Sequence, residues 1–121
     1  MSLEASVAHH DGYTTVVLRG TPTLGDLLVY LEELALQSRE WQPPFVLFDI
    51  REIQTLTAFT EQFQLGQAVA LRLRHLRRIA SLVPEGRRTG TSQKVARSGG
   101  ANLMVFTDRA AAVAWVRGQP A

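Results

Sequence analysis

Phe45-Val46-Leu47-Phe48, followed directly by Asp49, is the stretch of sequence that decides the fold. An uninterrupted run of large apolar residues is typical of a strand that is buried on both faces, as strands in parallel sheets are. Segments with helical spacing of apolar residues lie on either side of this strand, so strand and helix alternate along the chain. This alternation predicts right-handed crossovers and a largely parallel sheet.

The sequence before this strand predicts a hairpin and then a helix. Asp11-Gly12 separates two β-prone runs, Val7–His9 and Tyr13–Leu18, and an Asp-Gly pair between such runs favours a tight antiparallel turn. Thr23 and Asp26 have the spacing of a capping box, and the leucines behind them recur at helical spacing. The protein is therefore expected to open with an antiparallel pair of strands that leads into a capped helix.

The sequence after Asp49 predicts a short loop and then further alternation. Thr57 is predicted to cap a second helix, which ends near His75. The remaining predicted elements are a strand at Ile79–Val83, a short helix from Thr91 or Ser92 to Gly99-Gly100, a strand at Leu103–Phe106 and a last helix capped by Asp108. The order ββαβαβαβα makes the protein α/β: a single domain over residues 1–121, with a mixed sheet of about five strands, an N-terminal antiparallel hairpin and four helices. Residues 1–4 and 118–121 are expected to form flexible ends.

Composition excludes several classes of site and protein. The chain of 121 residues has no cysteine, which removes disulfides, iron–sulfur clusters, thiolate zinc sites and cysteine nucleophiles. It has no apolar run of the length that a membrane span needs and no signal peptide at its N-terminus, so we expect a cytoplasmic protein.

Charge is distributed unevenly along the chain although the net charge is only +2. Most of the cations lie between Arg72 and Arg97, where Glu85 is the sole anion. The densest cluster consists of Arg72, Arg74, His75, Arg77 and Arg78. No aromatic residue is interleaved there for base stacking, so we expect no nucleic-acid partner. A solvated helix end is the simpler interpretation, and a protein partner with acidic residues would suit the same surface.

A candidate binding edge follows from the topology, because loops that leave the carboxyl ends of parallel strands meet at one edge of the sheet. The residues expected there are Asp49, Arg51, Thr55 and Thr57 from one loop and Arg87, Arg88, Thr91 and Ser92 from another. The second group, with its arginines, hydroxyls and free helix amides, suits a phosphate or carboxylate. Solvated loop arginines are the alternative interpretation. Asp49 is expected to accept hydrogen bonds from loop amides rather than to act as a general base.

Other chemistry finds little support in the sequence. Phe59 and Phe63 are candidates to line an apolar pocket, with core packing as the alternative. His9 and His10 are neighbours on a predicted strand, where they face opposite sides and cannot easily share a metal ion. We therefore predict no metal site, no catalytic residue and no cofactor.

Three stretches carry a resemblance to a known family. They are Thr15 to Leu28, Val46 to Arg51 and Val105 to Val116, with the sequences TVVLRGTPTLGDLL, VLFDIR and VFTDRAAAVAWV. In order and spacing they resemble the STAS domain family, and in particular its SpoIIAA-like branch of anti-sigma-factor-antagonist-like proteins. The family fold is a mixed sheet with helices mostly on one face, in agreement with the predicted element order.

The resemblance implies a bacterial protein without enzymatic activity, since the members of this family are mostly non-enzymatic. Regulatory members carry a phosphorylatable serine at the start of the helix that follows the Asp49 strand, but an ungapped match places Ala58 on that serine, and only a shift of one residue brings Thr57 there. The expected function is a non-catalytic regulatory or protein-interaction module that docks a partner around Thr57 and on the helix that begins there. The alternative is a binding protein for a small apolar, lipid-like or anionic ligand held between that helix and the sheet. Assembly into a homodimer is left open.

Overall fold

The structure, a computed structural model, describes residues 3–55, 58–86 and 91–118, apart from the side chains of Phe59 and Ser92. The elements in chain order are β1 (Leu3–His10), β2 (Tyr13–Gly20), α1 (Leu24–Gln37), a 3-10 turn (Ser38–Glu40), β3 (Phe45–Ile53), α2 (Phe59–Arg72), β4 (Arg78–Leu82), α3 (Thr91–Ser98), β5 (Leu103–Phe106) and α4 (Arg109–Val116). The five strands form one sheet in sequential order, antiparallel between β1 and β2 and parallel from β2 to β5. The predicted α/β architecture is confirmed.

Local signals account for the turns and helix ends. Gly12 turns the β1–β2 hairpin with a φ of +92°, a conformation that costs glycine little. The Thr23 hydroxyl accepts from the Asp26 amide at 3.1 Å, and the Asp26 carboxylate accepts from the Thr23 amide at 3.0 Å. These reciprocal bonds satisfy donors that an α-helix leaves unpaired at its start. Asp108 caps α4 by accepting from the Ala111 amide at 3.0 Å.

The sheet separates two apolar cores. Helices α1, α2 and α3 cover one face, where Leu34, Leu73 and Ala96 pack against Val46 and Ile79. Of the helices that the structure describes, α4 is the one on the other face, where its Ala112 and Val116 pack against a second set of strand residues. That set consists of Tyr13, Leu47, Ala80 and Leu82. Val46 and Leu47 are adjacent in sequence yet belong to different cores, which explains why the β3 sequence is apolar without interruption.

Strand β3 is longer than the sequence predicts. It continues to Ile53, so Asp49 and Arg51 lie within the strand and not in a loop that follows it. Between the pairs Val17↔Asp49 and Arg19↔Glu52, β2 advances by two residues and β3 by three. This extra residue is a β-bulge in β3, and a bulge locally disrupts the strand ladder and re-aims side chains.

Two further expectations need correction. Strand β1 begins at Leu3, so Leu3 and Glu4 pair with β2 and do not belong to a flexible end. The N-cap residue of α2 is Ala58 and not Thr57, and the Glu61 carboxylate accepts from the Ala58 amide at 3.2 Å. The glutamate in the first turn thus replaces the hydroxyl that the sequence pattern pointed to.

Candidate functional site

Asp49, in the middle of β3, is the centre of a charged cluster. Its side chain is 11% exposed, and it receives two hydrogen bonds from the Arg51 guanidinium, from Nε at 3.0 Å and from a terminal nitrogen at 2.8 Å. The guanidinium of Arg109, the first residue of α4, lies 3.9 Å from the same carboxylate. One nearly buried anion is therefore held by two cations, and Arg51 binds it in the bidentate geometry that favours arginine over lysine.

The bulge in β3 explains why Asp49 and Arg51 meet. The extra residue disturbs the ladder of strand hydrogen bonds, and the Arg51 amide donates to Asp49 Oδ1 at 3.2 Å. This bond, from the amide of one residue to the side chain two residues earlier, is the pattern of an Asx turn. Asp49 thus stabilises the backbone at the bulge and orients the Arg51 side chain at the same time.

Electrostatics favour the ionised form of Asp49. The hydrogen bonds from Arg51 lower the pKa of the Asp49 carboxyl below its usual value and outweigh the opposing effect of burial. The same pairing raises the pKa of Arg51. A general base must accept a proton during turnover, and a carboxylate engaged by two arginines at low pKa is poorly suited to that task.

The other residues that the sequence predicts at the carboxyl ends of the strands are not all in contact with Asp49 in the described structure. The Thr55 hydroxyl donates to the Pro22 carbonyl at 2.7 Å, which ties the end of β3 to the connection between β2 and α1. Thr91 is the first residue of α3. Thr57, Arg87 and Arg88 lie outside the described residues, as does the side chain of Ser92, so the expected anion site stays a prediction.

Helices α2 and α3 form the walls of an open groove of about 540 Å3 on the surface of the protein. Its lining includes Phe63, Ala70, Leu71, Arg74, Lys94, Val95 and Gly99. Phe63 is 39% exposed and Leu71 is 65% exposed, which gives the groove an apolar surface in contact with water. Arg74 and Lys94 contribute cations, and neither forms a salt bridge with a described residue.

The groove differs from the pocket that the sequence suggested. Phe63 does line a concave site, but the site opens to solvent between two helices instead of lying between α2 and the sheet. The side chain of Phe59 falls outside the described residues. Ala70 is one of the residues that line the groove, and the backbone of Gly99 approaches it closely.

The basic cluster after α2 does not form one continuous surface. Arg72 reaches Glu32 of α1 at 2.7 Å, whereas Arg78 donates to the Val116 carbonyl at 3.2 Å on the opposite face of the sheet. The Arg74 Nε donates to the Ala70 carbonyl at 3.1 Å. Because these side chains point to different sides of the molecule, they do not line a common path for a nucleic-acid backbone.

His75 forms a contact that the sequence pattern did not reveal. Its Nε2 lies 2.8 Å from the hydroxyl of Ser38, which is 1% exposed and belongs to the turn after α1. Burial, with a smaller contribution from the charge of Arg39, lowers the pKa of His75 below its ordinary value of 6.5. The bond joins the end of α1 to the end of α2, and the burial of Ser38 argues for a structural role.

The lowered pKa of His75 predicts a pH-dependent stability. The unfolded chain takes up a proton at this histidine at higher pH than the folded chain does. The free energy of unfolding should therefore fall as the pH drops through about 6.5 toward the lower folded pKa. We expect His75→Gln to cost about 1 kcal/mol at neutral pH and to remove this part of the pH dependence.

Urea unfolding of the wild-type chain and of His75→Gln from pH 8 to pH 5 would measure the effect. An unchanged slope in His75→Gln would contradict the assignment.

Within the described parts of the chain, no group of three or more histidine, aspartate and glutamate side chains is placed to hold a metal ion. Among the helices that are described, none has both the length and the apolar character needed to cross a membrane.

Sequence reasoning missed Arg109 and the cationic groove. Arg109 could have been found, because Asp108 was predicted to cap α4 and the next residue must then lie at the start of that helix. The meeting of Leu71, Arg74 and Lys94 depends on how closely α2 and α3 approach, which no local pattern reveals.

Comparisons with known proteins agree with the fold. A family model described as SpoIIAA-like matches residues 13–117. An anti-sigma factor antagonist from Mycobacterium paratuberculosis has a similar structure, with a TM-score of 0.60, 17% identity and coverage of 96% of this chain and 95% of the other. An uncharacterised protein of the DUF3478 family with a SpoIIAA-like fold, from Shewanella loihica PV-4, gives a TM-score of 0.58, 19% identity and coverage of 95% and 94%. No curated protein matches the sequence.

Proposed function

Because this chain belongs to the SpoIIAA-like family, we propose that it is a non-catalytic regulatory module that binds a protein partner through the outer surface of α2. The similarity of its fold to that of an anti-sigma factor antagonist supports regulation by protein binding. The Asp49 carboxylate is engaged by Arg51 and Arg109, and a carboxylate held in this way is poorly suited to act as a general base, which supports a role without catalysis. The proposed surface is centred on the α2–α3 groove. Asp49, Arg51, Thr55 and Thr57 stay predicted partner residues.

The groove between α2 and α3 is the observation that carries this proposal. Phe63 and Leu71 keep apolar surface in water on the side of α2 that faces α3. Exposed apolar surface that is grouped in a concave site is typical of protein interaction sites, whereas scattered exposed residues are ordinary. The open shape favours a protein segment over an enclosed small ligand.

Charge narrows the chemistry of the partner. Arg74 and Lys94 flank the apolar groove, and Glu85 is the sole acidic residue between Arg72 and Arg97. A segment that combines apolar side chains with aspartate or glutamate would complement this surface. Arg87, Arg88, Thr91 and Ser92 stay the predicted anion-binding residues, suited to a carboxylate or phosphate group on the same partner.

Exchange of one exposed leucine for glutamate tests the proposal. We expect Leu71→Glu to weaken binding of the partner by about tenfold or more, because it removes apolar contact and adds a like charge against an acidic segment. Leu36→Glu is the matched control: Leu36 is 67% exposed on α1 and Leu71 is 65% exposed on α2.

The partner is to be identified with a photo-crosslinking residue at position 71, compared with the same residue at position 36. The crosslinked protein is then purified, and its affinity for wild-type protein and both variants is measured by calorimetry. The proposal requires a crosslink that is specific to position 71 and a selective loss of affinity in Leu71→Glu. Equal affinity of the two variants would refute the proposed surface.

A further inference from the structure

The two outer strands of the sheet, β1 and β5, differ in how their outward backbone groups are bonded. At the β5 edge, Leu103 and Val105 point their backbone groups outward, since Asn102 and Phe106 bond to residues at the two ends of β4. Side chains from α3 form hydrogen bonds with these outward backbone groups. The Gln93 amide oxygen accepts from the Val105 amide at 2.9 Å, and the Arg97 Nε donates to the Leu103 carbonyl at 2.9 Å.

Among the described residues, no side chain is recorded bonding to the outer backbone groups of the β1 edge in this way. β1 is eight residues long, it pairs with β2 on one side only, and residues 4–10 are all exposed. Among the described residues, none forms a backbone hydrogen bond with its outer side. The strand contains no proline, lysine or bulge, which are the features that commonly keep an edge strand from pairing with another chain. A long uncovered edge of this kind is a template for one more strand.

Symmetry restricts how a second copy of this strand could pair. Two antiparallel edge strands from identical chains are related by a twofold axis perpendicular to the sheet, which keeps each face of the sheet on its own side. Residues that face each other across the axis must therefore come from the same face. Val7 and His9 lie opposite Val16 and Thr14 on the α1 face, whereas Glu4 and His10 lie opposite Arg19 and Tyr13 on the α4 face.

Several registers satisfy this restriction, and one of them also places complementary side chains opposite each other. With the axis at Val7, Val7 faces its own copy, and Glu4 of each chain faces His10 of the other. Val7 is 40% exposed in the single chain, and the contact would cover it. An imidazole N–H can donate to the carboxylate opposite it, so this register gives one cross-strand hydrogen bond on each side of the axis. Axes at Ser6 or Ala8 pair the same faces but leave Glu4 without an opposite basic group.

We propose that two copies of this chain pair antiparallel through β1, about a twofold axis at Val7, so that two five-stranded sheets become one continuous sheet. The inference is independent of the partner-binding function, because the α2–α3 groove and the β1 edge share no residue.

Sedimentation equilibrium over a range of protein concentrations tests the assembly. The wild-type chain should show a reversible equilibrium between monomer and dimer. Val7→Asp sets two carboxylates opposite each other at the axis, and we expect it to raise the dissociation constant by about tenfold or more. Val29→Asp is the control, since Val29 is 55% exposed on α1, and it should leave the equilibrium unchanged. Monomer at every concentration, or an unaffected dimer in Val7→Asp, would overturn the proposal.

A reciprocal charge exchange tests the register. Glu4→Lys places two basic groups opposite each other, and His10→Glu places two acidic groups opposite each other, so each change alone should weaken the dimer. The double variant restores opposite charges and should recover dimerisation. His10 also stacks on Tyr13 with ring centroids 4.8 Å apart, so circular dichroism must show that the variants keep their fold. Failure of the double variant to recover dimerisation, with the fold intact, would rule out this register.

Discussion

Gly99→Ala is expected to destabilise the protein by about 2–3 kcal/mol, because the new methyl group has no space. A Cβ atom built on Gly99 would lie 2.5 Å from the Cβ of Ala70, well inside van der Waals contact. Ala70 is 6% exposed and its methyl group cannot rotate away. The backbone after α3 must therefore move away from α2, which disturbs the packing of both helices and widens the groove between them.

The matched control removes the opposing methyl group. Ala70→Gly alone should cost about 1 kcal/mol through the lower helix propensity of glycine. In the Ala70→Gly background, the further change Gly99→Ala should cost much less than it does in the wild-type chain. Urea unfolding of the four proteins completes a double-mutant cycle. Strictly additive costs would show that the close approach of Gly99 and Ala70 does not determine the stability of this contact.

Asp49→Asn is expected to lower the free energy of unfolding by about 2 kcal/mol at neutral pH. The substitution removes the charge that binds Arg51 and Arg109 and leaves two guanidinium groups next to a neutral amide. It also weakens the bond from the Arg51 amide that stabilises the bulge in β3. Glu52→Gln serves as the control, because the Arg19–Glu52 pair is exposed on both sides and should contribute less than about 1 kcal/mol.

The same variant should change the response to acid. The folded pKa of Asp49 is lowered from its ordinary value of 3.8, so its contribution to stability is present above that value and is lost as the pH falls through the folded pKa. Asp49→Asn has no such group to titrate, and its stability should therefore fall less steeply below pH 3.8 than that of the wild-type chain. Parallel curves for the two proteins in this range would contradict the pairing described for Asp49.

The sequence predicted those parts of the fold that depend on neighbouring residues. Asp11-Gly12 fixed the hairpin, Thr23 and Asp26 fixed the start of α1, and Asp108 fixed the start of α4, because each signal acts within four residues of the backbone it organises. The apolar run at Phe45 predicted a strand buried on both faces for the same local reason.

The candidate site was less predictable because it depends on pairing between distant segments. The bulge near Asp49 appears only when β3 is aligned with β2. Pairing with β2 also continues to Ile53, so Asp49 and Arg51 lie in a strand and not in the expected loop. Gly99-Gly100 was predicted as a helix stop, and Gly100 has the expected positive φ of 102°. The second role of Gly99, its close contact with Ala70, requires knowledge of how α2 and α3 cross.

Helix α4 is the sole helix on its face of the described sheet, and it is also the last element in the chain order. During synthesis, Tyr13, Leu47 and Leu82 leave the ribosome long before Val116, which they need as a packing partner. A nascent chain that ends before Arg109 thus presents a water-exposed apolar sheet, the kind of surface on which unfinished polypeptides aggregate or recruit chaperones. The apolar face of the sheet that carries Tyr13, Leu47 and Leu82 is buried only once the eight residues of α4 have been synthesised and have packed against it.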